Sequence, residues 1–162
     1  MKPFQSILLV VFVATAAITF YSIIQYKPPT EEDSLKATLL AESLKIGFIG
    51  ERLPDHRFIM DNPIIYVSSE NLEGIPLPKD LGLNFLKTTP EELQRIANKN
   101  GDFMYVYINE IALSPRPYVE VMTMFQKAEG SQHMYLAGGL MGVEFKFNGT
   151  SWEGTVVKWW IS

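Results

Sequence analysis

The residue pattern predicts an α+β domain behind an N-terminal transmembrane or signal helix, with two helices packed on a curved, mainly antiparallel sheet that ends in a four-stranded meander. Three observations carry this reading. An uncharged run opens the chain from Ile7 to Ile24. Two segments with apolar residues at helical spacing precede most of the strand-like segments. From Gly101 onward, runs rich in β-branched and aromatic residues alternate with turn signals. Helices first and strands afterwards point to α+β rather than alternating α/β.

At ~1.5 Å rise per residue, a helix over Ile7–Ile24 would be roughly 27 Å long, close to the ~30 Å hydrocarbon core of a bilayer. Lys2 precedes this run, while Lys27, Glu31, Glu32 and Asp33 follow it. Positive charge ahead of a span favours an N-terminus in the cytoplasm and a membrane-anchored domain outside it, periplasmic or extracellular. Ala14-Thr15-Ala16 offers a small-x-small cleavage motif, so the segment reads as a signal peptide releasing a secreted domain or as an uncleaved, single-pass signal-anchor. The apolar run continues past Ala16, and that length favours the anchor. Residues 1–27 are assigned to the signal-anchor or signal peptide and 28–30 to a linker that Pro28-Pro29 stiffens. Residues 31–162 form one domain.

Thr30 before Glu31-Glu32-Asp33 marks the start of the first helix: the hydroxyl can cap it, and the acids meet the positive end of its dipole. Leu35, Leu39, Leu40 and Leu44 follow at helical spacing, and Gly47 is the expected stop. Breaks at Gly47, Gly50 and Pro54 leave residues 47–62 without a regular assignment. Short strands are expected at Ile64–Ser68 and Asn84–Lys87. The sharpest local signal is Thr89-Pro90-Glu91-Glu92, a capping box with proline at the first helical position; this second helix ends at Asn100-Gly101. Four strands follow, at Phe103–Leu113, Tyr118–Lys127, Met134–Asn148 and Trp152–Ile161. Their connections, at Pro115-Arg116-Pro117, Ala128–His133 and Asn148-Gly149, are short enough to make successive strands antiparallel neighbours.

Period-two alternation assigns the faces of these strands. Val119, Val121, Thr123 and Phe125 share one side of their strand, while Tyr118, Glu120, Met122 and Gln126 form a wet one. In the preceding strand both faces are largely apolar, with Met104, Val106, Ile108 and Ala112 opposing Phe103, Tyr105, Tyr107 and Ile111. Glu110 falls on the side taken to face the core but near a strand end, so it is expected either solvated at the rim of the sheet, the favoured reading, or held in an apolar pocket, which makes it the weak candidate for a catalytic or pocket carboxylate. Trp159 and Trp160 are adjacent and must point to opposite faces, one into the core and one outward. An outward Trp is a fair interface anchor, so Tyr105, Tyr107 and Trp160 are the candidate ligand or partner contacts. Gly138, Gly139 and Gly142 are expected to mark a bulge or bend that lets the sheet curl, the alternative being close approach of a ligand or of a partner's backbone.

The chain has no Cys, which excludes disulfides, thiolate metal sites and cysteine nucleophiles. Its two histidines, His56 and His133, fall in expected loops without metal-ligand spacing, and no cofactor-binding motif is present, so neither metal nor cofactor is expected. Of the 14 Lys and Arg, all but Lys2 follow the apolar run, against 18 Asp and Glu. The exported part is therefore acidic without a basic run, and nucleic acid is a poor partner. Asn148-Gly149-Thr150 also matches the N-glycosylation pattern.

Helix, short strand, second helix and four-stranded meander is an order that resembles the cone-shaped ketosteroid-isomerase-like superfamily over residues 31–162. The segment GDFMYVYINEIAL and the ending KWWIS also resemble small exported domains of unknown function. The superfamily resemblance implies a curled sheet enclosing a pocket, used for catalysis in some members and for binding or assembly in many. Two functions follow as expectations. One is a non-enzymatic, membrane-anchored interaction domain that binds a protein partner or a second copy of itself. The other is a pocket protein or enzyme with Glu110 as its polar group.

Overall fold

Helix α1 (Glu31–Leu44) begins behind Thr30 and ends three residues before Gly47, but helical backbone continues past that expected stop. The computed structural model describes residues 30–132 and 138–161; the apolar run and His133 lie outside the described residues. After Leu44 the helix widens into a π-helical turn over Lys45–Ile49, closed by the Gly50 N–H donating to the Lys45 carbonyl at 3.0 Å. Gly47 does not terminate this segment because it serves packing: a Cβ there would stand 3.1 Å from the Leu53 Cβ and 3.2 Å from the Met141 Cε. A third helix, α2 (His56–Met60), lies in the stretch that resists assignment from sequence. Five residues are too few for periodicity to register.

Strands β1 (Ile65–Ser68) and β2 (Phe85–Thr88) are parallel neighbours, and α3 (Pro90–Asn100) carries the chain from β2 to β3 (Phe103–Ala112), which also runs parallel to β1. The Thr89 capping box forms as expected. Its hydroxyl accepts from the Glu92 N–H, and the Glu92 carboxylate accepts from the Thr89 N–H, both at 3.3 Å. From β3 onward the chain is the expected meander through β4 (Tyr118–Gln126), β5 (Gly139–Phe147) and β6 (Trp152–Ile161), all antiparallel. The sheet is open and six-stranded, in the order β2-β1-β3-β4-β5-β6. Glu31 to Ser162 form one compact unit.

The main core lies between one face of this sheet and α1, the π-helical turn and α2. Leu39, Leu40, Phe48, Val106, Val121 and Val143 are among its buried members. Each such side chain contributes about 1.5–3 kcal/mol by leaving water. Helix α3 lies on the opposite face: Gln94 bonds Gln126 at 2.8 Å, and Ile96 shares a cleft with Tyr66 and Phe103, whose rings meet edge to face at 5.3 Å. The main core thus occupies one face of the sheet, and α3 packs on the other against β1 and β4.

Candidate functional site

A bulge in β3 redirects the residues that the sequence singles out. Ile108 pairs with Val121, but the register then shifts, so that Glu110 pairs with Glu120 and Ile111 with Val119. Paired residues share a face, and the extra residue of a bulge moves every later side chain to the other side. Glu110 therefore lies on the face opposite Val106 and Ile108, and it is exposed. The expectation that it shares the face of Val106 and Ile108 is corrected, while its exposure agrees with the favoured expectation of a solvated carboxylate. Ile111 and Ala112 exchange faces for the same reason, and Ile111 packs against the core.

The buried carboxylate of this region is Glu120, only 7% of whose side chain is exposed. It accepts from Asn109 Nδ2 at 2.7 Å, Tyr118 Oη at 2.8 Å and Lys158 Nζ at 2.8 Å. Burial pushes its carboxyl upward, but the bonds from Lys158, Tyr118 and Asn109 outweigh that and hold it below the usual carboxylate range. Tyr118 moves the opposite way. Burial and the bond to Glu120, with the charges of Glu120, Glu110 and Glu144, raise its phenol well above the ordinary value. Gly142 makes the cluster possible, because a Cβ there would stand 2.2 Å from the Tyr118 hydroxyl. The bulge expected among these glycines falls between Gly142 and Val143, and the side chain that closes on Gly142 belongs to the chain itself.

The residues expected to form contacts occupy one surface. Tyr107, Met122, Leu140 and Trp160 are successive register neighbours across β3, β4, β5 and β6, so Tyr107 and Trp160 end a single cross-strand row. Three strand spacings of about 4.8 Å separate them, roughly 14 Å. The Tyr107 hydroxyl is bonded to Asn71 Nδ2 at 3.2 Å. Tyr105 stands two residues away opposite Met124, partly buried. Its phenol is raised by burial and by the charge of Glu70, with a smaller push from Tyr107.

Trp159 and Trp160 do point to opposite faces, but neither enters the core. They are 56% and 53% exposed. The reason is position: β6 is the last strand of the sheet, and among the described residues no strand pairs with its outer edge. Val157 and Ile161 are also about half exposed, so the end of β6 presents four large apolar side chains to solvent. Trp159 donates its indole N–H to the Arg52 carbonyl at 2.9 Å. A cleft of about 580 Å³ runs beside it, lined by Ile46, Glu51, Arg52, Thr155, Val156 and Trp159. A free strand edge with exposed apolar residues and an adjoining groove is the most distinctive surface described.

Other clusters have local structural work. Lys87 Nζ donates to the Leu72 carbonyl at 2.8 Å and to that of Ile75, tying the loop after β1 to β2; burial lowers its pKa. Asp102 receives the Ala128 N–H at 2.7 Å and the Ser131 hydroxyl, shaping the turn after β4. His56 opens α2 with Nδ1 2.8 Å from the Leu53 carbonyl. Among the described residues no three His, Asp or Glu side chains converge as metal ligands, and no helix is long and apolar enough to cross a membrane. Comparison with protein-family models, curated proteins and solved structures finds no match to this chain.

Proposed function

We propose that the protein is a non-enzymatic interaction domain, held at a membrane by Ile7–Ile24, that makes its contacts through the outer edge of β6. The carrying observation is the exposure of Val157, Trp159, Trp160 and Ile161 on a ten-residue edge strand. Such an edge leaves a row of unpaired N–H and C=O groups, and proteins ordinarily shield it with short strands, Pro or outward charge. Here the strand is long and lacks Pro, and its lysine is turned inward to Glu120. An added strand would complete the hydrogen-bond ladder, and the groove beside Trp159 would receive its alternate side chains.

The test is the size of the full-length chain extracted in mild detergent. Wild type should sediment as a complex. A Val157→Lys/Trp160→Ser variant, altered only at half-exposed positions, should keep its melting temperature and run at monomer size. Equal sizes for the two proteins would overturn the proposal.

A further inference from the structure

We infer that the occupant of the β6 edge is a second copy of β6, running antiparallel about a twofold axis; this rests on the edge reading above and names the partner. The argument starts from the two charged residues of the strand, Glu153 and Lys158. Five positions apart in a regular strand, they would lie on opposite faces. The bulge changes this: Val143 pairs with Val156 and Gly142 with Lys158, so Val157 is the extra residue. Glu153 pairs with Lys146 and Thr155 with Glu144, on the same face as the Gly142–Lys158 pair.

Once Glu153 and Lys158 share a face, the strand is complementary to itself. In an antiparallel pair related by a twofold axis, the register that sets Glu153 of one copy opposite Lys158 of the other does so twice. It also sets Trp152 of each copy opposite Trp159 of the other, both on the helix-covered face. Val157 of each copy is then extra to this pairing as it is to the pairing with β5, and Thr155 of each copy faces Thr155 of the other. Lys158 keeps its bond to Glu120 at 2.8 Å, and its positive charge favours an acid over a base on the strand opposite. Opposed unlike charges and aromatic pairs are the cross-strand contacts that stabilise antiparallel sheets.

The absence of cysteine makes the register directly readable. Two differently tagged full-length copies are produced together, one carrying Glu153→Cys and the other Lys158→Cys, and disulfides are counted after mild oxidation. Mixed disulfides should exceed like-with-like disulfides several-fold. The same excess should appear for Trp152→Cys with Trp159→Cys, a pair that leaves the Lys158–Glu120 contact intact. No mixed disulfide in either pairing, or equal yields of mixed and like pairs, would overturn self-pairing. If the detergent complex still collapses in the Val157→Lys/Trp160→Ser variant while no mixed disulfide forms, the edge reading stands and the second copy is the wrong occupant.

Discussion

Lys158 of β6 reaches across β5 at Gly142 to meet Glu120 of β4, Nζ to Oε2 at 2.8 Å. This contact fastens the edge strand to the strand two places inward. It also turns the lysine of β6 away from the position where a charge would shield the edge. The polar cluster and the exposed apolar edge are therefore one arrangement.

Lys158→Met should lower stability by about 1–2 kcal/mol, since Glu120 loses one of three donors. The loss falls short of that for a fully buried pair because water screens the half-exposed ammonium. Chemical denaturation of wild type and variant measures it; no loss would show that Asn109 and Tyr118 alone satisfy the carboxylate.

The cluster also predicts two limbs of a stability–pH curve. Glu120 is held below its ordinary value of 4.5, so its contribution is present above that pH and disappears as pH falls through the lower folded value. Tyr118 is raised above 10.0, so its contribution is present below pH 10.0 and fades as the solution becomes more alkaline. Glu120→Gln should flatten the acid limb and Tyr118→Phe the alkaline one, each followed by thermal melts across pH.

Gly142→Ala should destabilise the domain by about 1–3 kcal/mol, because the new methyl group overlaps the Tyr118 hydroxyl and lies 3.0 Å from the Lys158 Cβ. The penalty should shrink markedly in a Tyr118→Ala background. A double-mutant cycle that returned simple additivity would place the strain elsewhere.

Thr89→Ala removes the hydroxyl that caps α3 and should lower stability by about 1 kcal/mol. Helix α3 packs against β1 and β4, two or more strands from β6, so the same variant should leave the detergent complex at wild-type size. A change in size would connect α3 to the contact surface.

Local signals and long-range ones differ in how well the sequence expresses them. The Thr89 box, the Asn148-Gly149 hairpin and the meander are visible because each depends on residues within a few positions of one another. Glu110 and Glu120 could not be ranked correctly, because a single extra residue at Asn109 reverses the faces, and alternation carries no sign of where a bulge falls. Glu120 looked like an ordinary wet-side acid until register brought Lys158 and Asn109 to it from β6 and β3. Trp159 was expected to share the burial choice with Trp160. Strand order decided otherwise, since an edge strand has a neighbour on one side only. The π-helical turn over Lys45–Ile49 was hidden by Gly47, whose role is contact with Leu53 and Met141 rather than helix termination.

The central claim is that β6 is the contacting edge, and a photo-crosslinker scan of the full-length protein in the cells that produce it tests this most directly. A crosslinking residue placed singly at Thr155, Val157, Trp160 and, as the remote control, Arg95 reports what lies beside each exposed position. The account predicts strong adducts at the β6 positions, with a mass of two chains, and none at Arg95. Adducts spread evenly over all four positions, or confined to Arg95, would contradict it.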